Sequence, residues 1–215
     1  MRKLKKKILI FGASGQAKVT FDIIKRNNIY DVAGFVAKGN KLKTLLGYPV
    51  YNSEEQIKKL NINDGIVAIG DNNIRYELIK KIYKIKKNFN FINAIHPSAI
   101  ISDNVNIGIG IQIMAGVIIN SSSSIGDHCI INTNSNIDHD CKIANFSSIN
   151  PGVSIGGNVT IGDFTLIGIG SSVIHKIVIG KNSVIGAHSN VVKNIPSKVV
   201  AYGNPCAIIR KNINK

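Results

Sequence analysis

From residue 95 to residue 191 every sixth position is isoleucine or valine, with no insertion anywhere in the series. A helix repeats near 3.6 residues and a strand every second residue, so neither element alone produces this period. A six-residue period sustained over about a hundred residues marks a solenoid of stacked short strands. Three hexads make one triangular coil, with each periodic aliphatic turned inward. Two positions earlier stand small or β-branched residues, among them Val117, Ser123, Cys129, Ser135, Cys141, Ser147 and Val153. Glycine often follows the aliphatic, as at Gly108, Gly126, Gly156, Gly162, Gly168, Gly180 and Gly186, where a tight corner is expected. The pattern predicts a parallel β-helix. With no break in register there is no long loop, so any site must sit on the faces and corners of the prism.

Residues 1–91 follow other rules and predict an α/β domain with a small Rossmann-like parallel sheet; residues 92–215 form the β-helix domain. Strands are expected at 7–11, 32–36, 49–51 and 65–69. Helices are expected at 16–27, with Val19, Ile23 and Ile24 on the buried face, and at 72–87. Ser53 ahead of Glu55-Gln56 predicts a capped helix between them. Residues 88–98 join the two parts, and the stretch after Val191 leaves the hexad and is expected to fold back on the last coil.

The chain of 215 residues is 44% hydrophobic and 18% charged, a globular composition. No apolar run approaches the roughly 18–20 residues that span a bilayer, so membrane insertion is not expected. The basic start is followed by only four apolar residues, 8–11, and then a glycine turn, which reads as a first strand rather than a signal peptide. Three cysteines without a framework fit a reducing cytoplasm, and Cys129 and Cys141 occupy packing slots of the coil. The net charge is +15. Residues 1–91 hold 19 Lys and Arg against 7 Asp and Glu, much of the excess at 2–7 and 80–87. These lysines alternate with Ile79, Ile82 and Ile85 and lack an aromatic stacking platform, so a solvated helix face is favoured over nucleic-acid binding.

Three places carry candidate chemistry. Gly12-Ala13-Ser14-Gly15 lies between a strand and a helix, where backbone N–H groups receive anions such as a nucleotide diphosphate. Gly70-Asp71-Asn72-Asn73, with Arg75 following, ends another strand at the same carboxyl edge. In the coil, residues 132–141 are unusually polar. There His139 beside Asp140 suits general-base work, because a hydrogen-bonded carboxylate fixes the imidazole tautomer. His139 and His175 are two coils apart, roughly 10 Å at the usual strand spacing. That is too far to share a zinc ion at about 2 Å per bond, and no metal site is expected.

The glycine-rich βα turn, the strand end IGDNNIR, the HPSA junction, the NTN…DHDC segment and the terminal VVKNIP…YGNPC together span nearly the whole chain. In that combination the chain resembles the sialic acid O-acetyltransferase and nucleotide-amino-sugar N-acetyltransferase family. The resemblance implies left-handed coils, an exception to the right-handed rule for parallel crossovers. It also implies a homotrimer, acetyl-coenzyme A as co-substrate in the groove between neighbouring helices, and a nucleotide-linked amino sugar on the N-terminal domain. His139 matches the catalytic base and Asp140 the acidic residue after it. Gly12, Ser14, Gly15, Gln16, Gly70, Asn72 and Arg75 match nucleotide-sugar positions, and Ser148, Gly157, Ile169 and Ala187 match contacts to acetyl-coenzyme A. Gln16 replaces the family's common histidine, Ser148 stands where a second histidine is frequent, and Phe35-Val36-Ala37 lacks the acidic pair of some relatives. The implied activity is direct acetyl transfer to the amine of a nucleotide-linked 4-amino-4,6-dideoxy sugar for a bacterial surface glycan such as lipopolysaccharide. O-acetylation of sialic acid, or a non-catalytic sugar-nucleotide scaffold, stands as an alternative. UDP, dTDP and GDP remain open as the nucleotide.

Overall fold

A computed structural model describes residues 5–213, so the first two basic residues of the chain, Arg2 and Lys3, lie outside it. The chain divides into two compact units, Met1–Pro97 and Ser98–Lys215. The division falls after residue 97 rather than 91 because residues 90–95 still bond within the first unit. Asn90 pairs with Asp64, Ile92 N–H donates to the Gly65 carbonyl at 2.9 Å, and the Asn27 amide donates to the Ile95 carbonyl at 2.7 Å.

The first unit is built on β1 (Lys6–Phe11), α1 (Gly15–Asn27), β2 (Tyr30–Val36), β3 (Thr44–Leu45), β4 (Tyr48–Tyr51), α2 (Glu54–Lys59), β5 (Asp64–Val67), α3 (Asn72–Ile85) and β6 (Asn90–Phe91). The sheet order is β3-β4-β2-β1-β5-β6. β1 lies between β2 and β5, parallel to both, and its apolar run Ile8–Phe11 is buried as a central parallel strand requires. After β2 and β4 build one side, the chain crosses to β5 on the other side of β1. The topological switch point therefore falls between β1 and β5, where open α/β sheets leave a crevice at the strand ends.

The predicted capping box is present: Ser53 Oγ accepts from the Gln56 N–H at 3.3 Å, while the Gln56 side chain accepts from the Ser53 N–H. α3 stops at Ile85, two residues before the expected end: Lys86 is its C-cap with an extended backbone (φ −134°, ψ 90°), and its ammonium donates to the Leu60 and Ile62 carbonyls at 2.6 and 2.9 Å. Lys80, Lys81, Lys84 and Lys87 are exposed while Ile79 and Ile82 are buried, the solvated face that the sequence predicts. Two features differ. Val19 is 46% exposed, since the buried arc of α1 is drawn by Ala17, Thr20, Ile23 and Ile24. The strand β3 was unforeseen; it pairs antiparallel with β4 across Leu46-Gly47, whose positive φ values of 50° and 80° match a two-residue hairpin turn.

In the second unit each strand pairs with the strand three hexads on, and the register holds at every rung from Ile101↔Ile119 to Val173↔Val191. The two-residue strands fall into three parallel sheets, one per face of the prism. The periodic aliphatics from Ile113 onward are buried, whereas Ile101 and Ile107 in the first turn are half-buried. The small residues two positions earlier also point inward, and their hydroxyls are satisfied by corner carbonyls. Ser123 donates to Asp138 O at 2.7 Å, and Ser147 and Thr165 to Gly162 O and Gly180 O at 2.8 Å. Cys129 and Cys141 fill the same slot with the same bond, and burial pushes the Cys141 thiol up, as expected of an inert packing residue.

The corners work differently from expectation. The left-handed residue is the third after the aliphatic, not the first: Gly110, Gly116, Ser122, His128, Asn134, Asp140, Phe146 and on through His188, with φ between 53° and 70°. The glycines directly after the aliphatics are needed for close approach between coils. A β-carbon on Gly162 would lie 2.5 Å from the Lys181 nitrogen, and one on Gly168 2.6 Å from the Ala187 nitrogen. After the coils, Val199–Tyr202 continues one face in parallel, and Ala207–Lys211 returns antiparallel to it, the expected folding back.

Candidate active site

The crevice of the first unit brings its predicted residues together in two adjacent loops. Phe11 and Val67 are register partners, so the turn after β1 and the loop after β5 leave the sheet side by side. Gly12 has φ +130°, and a β-carbon there would lie 2.5 Å from the Ala68 carbonyl oxygen, so only glycine fits. Ser14 is the N-cap of α1, yet its side chain makes no capping bond to that helix. Ser14 and Gly15 are exposed, and a β-carbon on Gly15 would meet nothing within 4 Å. Gln16 is half-buried, and its carbonyl accepts from the Thr20 hydroxyl at 2.9 Å. Across the crevice Gly70 is exposed, and Asp71 caps α3 by accepting from the Ile74 N–H at 2.8 Å.

Arg75 is turned the other way from expectation. It is 0% exposed, donating from Nη1 to the Ile69 and Gly70 carbonyls at 2.9 and 3.1 Å and from Nη2 to Asn72 Oδ1 at 2.8 Å. A buried guanidinium needs acceptors, and the strand-end loop supplies them. Arg75 and the buried Asn72 therefore shape the loop from beneath, and Gly70 is the member of the group that faces the crevice.

In the β-helix the corner after Asn136–Ile137 carries His139 and Asp140. The left-handed φ of 58° at Asp140 folds the chain so that its Oδ2 lies 2.7 Å from His139 Nδ1. With the carboxylate on Nδ1–H, Nε2 carries the lone pair. Both side chains are about half exposed. The hydrogen bond to Asp140 and then the charge of Asp138 raise the imidazole pKa above its ordinary value. Asp138 itself is held below the usual carboxylate range by the Asn120 amide and the His139 N–H. One coil on, a β-carbon on Gly157 would stand 2.6 Å from His139 Nε2, so the imidazole lies over that glycine. Among the described residues the Gly157 N–H meets no acceptor; Gly156 before it has no side chain to supply one. An open cleft joins Asp138, His139, Gly156, Gly157 and Asn158 to Ile174, His175 and Lys176.

The remaining predicted positions lie elsewhere on the prism. Ile169 and Ala187 occupy equivalent places one coil apart on a second corner, both exposed. Ser148 lies in the strand of the face before that corner and is 2% exposed, so within one chain it does not line the cleft of His139. Sequence reasoning passed over Asn120, whose only signal was its place one coil before Asp138. Among the described residues no group of three or more His, Cys, Asp or Glu is placed to hold a metal ion.

Comparison with known proteins follows the same division of the chain. Residues 7–82 match the PglD N-terminal domain, and residues 158–193 match the bacterial transferase hexapeptide repeat. GDP-perosamine N-acetyltransferase from Caulobacter crescentus, solved with CoA and GDP-perosamine, is 34% identical with a TM-score of 0.89. The match covers 94% of this chain and 96% of that one. That enzyme has been solved as variants with one histidine replaced by asparagine or by alanine. The acetyltransferase domain of PglB from Neisseria gonorrhoeae, in complex with acetyl coenzyme A, is 28% identical with a TM-score of 0.89, covering 96% of this chain and 100% of the other. WeeI from Acinetobacter baumannii is 25% identical with a TM-score of 0.88, covering 95% and 100%.

Proposed function

The chain belongs to the nucleotide-amino-sugar N-acetyltransferases of the left-handed β-helix class, and from that premise we propose that it acetylates the amine of a nucleotide-linked 4-amino-4,6-dideoxy sugar. One observation carries the chemistry: a histidine whose Nδ1 is held by a carboxylate, with its other nitrogen directed over a glycine whose N–H is unspent. His139 Nε2 takes a proton from the sugar ammonium, and the freed amine attacks the thioester carbonyl of acetyl-coenzyme A. The Gly157 N–H is suited to stabilise the oxyanion of the tetrahedral intermediate. The C–N bond forms, and as the C–S bond breaks the nitrogen gives up a second proton to the departing thiolate, leaving the amide, the thiol and one proton on His139. Asp140 stabilises the imidazolium between these steps. No cysteine or serine nucleophile takes part.

The nucleotide sugar is assigned to the crevice of Gly12, Ser14, Gly15, Gln16 and Gly70, with Asn72 and Arg75 shaping it. Acetyl-coenzyme A is assigned to the coil positions Gly157, Ile169, Ala187 and Ser148. The last three do not converge on His139 within one chain, which supports a homotrimer in which the corner of one subunit faces another corner of its neighbour. Exposed aliphatics on the coils, Ile100, Ile169, Ile174 and Val178, suit such contacts. Free cysteines accord with a cytoplasmic enzyme of surface-glycan biosynthesis.

The test is acetyl transfer from acetyl-coenzyme A to a panel of GDP-, dTDP- and UDP-linked 4-amino-4,6-dideoxy sugars, with sialic acid as the hydroxyl acceptor. Turnover on one of the amines, absent from sialic acid, is expected. Acetylation of sialic acid alone would replace the reading with O-acetylation, and tight sugar-nucleotide binding without turnover would make the chain a scaffold.

A further inference from the structure

The residue before the base is used by no step above, yet it is the most tightly held side chain of that corner. Asp138 Oδ1 accepts from the His139 backbone N–H at 2.8 Å and from the Asn120 side-chain amide at 3.0 Å. The Asp138 carbonyl accepts from Ser123 Oγ at 2.7 Å. Asn120 precedes Asp138 by one coil, and their strands pair in register as Ile119↔Ile137. The residue is thus tied at its carboxylate and at its carbonyl to the coil before it. One coil further on, the equivalent position is Gly156, and the N–H that follows has no such acceptor among the described residues. The bond from a side-chain oxygen to the next N–H recurs at Asn132 and Thr133, and the carbonyl bond recurs along the coils; at the histidine's corner the acceptor is a carboxylate, held by an amide from the coil before.

We propose that Asp138, anchored by Asn120, is a positioning residue for acetyl transfer: it fixes the backbone from which His139 reaches over Gly157 and sets a second negative charge beside the imidazole. The proposal rests on His139 being the base. The two acids act at different atoms, Asp140 at the imidazole Nδ1–H and Asp138 at the main-chain N–H. The charged or titratable groups lining the cleft beside His139 are Asp138 on the histidine's own corner and His175 and Lys176 two coils away; Asp140 meets the imidazole from the same corner, and Gly156, Gly157 and Asn158 carry no charge. Of these, Asp140 and Asp138 are the groups that raise the imidazole pKa. Asn120, by donating to the Asp138 carboxylate, keeps that charge in place.

Two substitutions separate geometry from charge. Asp138→Asn keeps an acceptor oxygen for both donors and removes the charge. Asn120→Ala keeps the charge and removes the anchor. Each full-length variant is read by the NMR titration of the His139 ring and by the pH profile of kcat/KM, beside wild type and His139→Ala. Asp138→Asn should lower the titration midpoint and the acid limb of the profile together, by roughly half a pH unit, the size expected for removing one nearby charge in a water-exposed site. Asn120→Ala should lower kcat about tenfold, leave both KM values within about twofold and leave the titration near wild type. If both variants match wild type in titration and turnover while His139→Ala is inactive, the positioning role is overturned. Near wild-type turnover in His139→Ala would instead overturn the assignment of the base. Should Asn120→Ala fail to fold, the near-isosteric Asp138→Asn decides the proposal alone.

Discussion

A β-carbon on Gly157 would stand 2.6 Å from both Cε1 and Nε2 of His139, one coil away. The glycine is not in the left-handed region, so its backbone could bear a side chain. Its smallness serves the imidazole. Gly157→Ala should displace the ring and lower kcat by roughly ten- to a hundredfold, within the usual range of a general-base contribution. The melting temperature should stay within a few degrees of wild type. A variant that folds and turns over normally would mean that the ring position seen here is not the catalytic one.

The pH dependence has a definite sign. His139 must be neutral to accept a proton, and its pKa is raised first by the bond to Asp140 and then by Asp138. Activity should therefore be present above that raised pKa and fall as pH drops through it, with the midpoint above the ordinary imidazole value of about 6.5. Asp140→Asn removes the larger cause and should move the acid limb down while lowering the plateau. His139→Ala should cost roughly a hundredfold or more at every pH. An acid limb unmoved in Asp140→Asn would separate the measured ionisation from this pair.

Gly12 and Gly15 flank the same turn, and substitution should separate what each does. Gly12→Ala drives a β-carbon to 2.5 Å from the Ala68 carbonyl oxygen at φ +130°, and should destabilise the first unit. Gly15→Val meets only open space, so the chain should fold; the branched side chain would occupy the mouth of the crevice. KM for the sugar nucleotide should rise strongly, with KM for acetyl-coenzyme A within about twofold. The opposite split would assign the two ligands to the wrong units.

Position within the hexad sets the energetic weight of a coil residue. Ile161 is 0% exposed, whereas its neighbour Thr160 is partly exposed. Ile161→Ala should lower stability by roughly 2–5 kcal/mol through lost burial and the cavity left behind. Thr160→Ala should change it by no more than about 0.5 kcal/mol. Comparable denaturant midpoints for the two variants would contradict the inward placement of the repeat.

The trimer has a mass test. Light scattering at micromolar concentration should give about three times the 23.2 kDa of the chain. A species of 23.2 kDa that still turns over would confine the whole site to one subunit.

Legibility tracked how local each determinant was. The hexad stood out because every coil repeats one contact, an isoleucine against its counterpart one coil on, so the signal accumulates along the chain. Ser53 and Gln56 revealed their helix because a capping box is a contact within a single helical turn. The corner conformation was harder to see: its left-handed residues include Phe146, Phe164, Lys176 and Asp140, types that seldom announce such a φ. Arg75 misled because a basic residue near a phosphate loop reads as a ligand contact, and only burial reveals that it bonds the loop's own carbonyls. The Asn120–Asp138 clamp was hidden for a related reason, since either residue alone is an ordinary polar position. It becomes informative once the coil brings them to 3.0 Å.

The unbroken three-hexad register also determines which changes of length the β-helix can absorb. Insertion of a single residue would shift every downstream hexad out of phase and turn aliphatics outward. Insertion of one hexad between residues 139 and 157 would keep the aliphatics inward but carry every later corner to the next edge of the prism, parting Gly157 from His139. A complete coil of three hexads is the shortest insertion that returns each column to its own edge. Such a coil, added between Val191 and the terminal strands, should lengthen the protein without disturbing the pair or parting Ile169 from Ala187. The same coil placed between residues 139 and 157 would set a foreign residue under the imidazole. Between the rungs that carry the site no coil can be added; beyond them the prism can grow by whole coils.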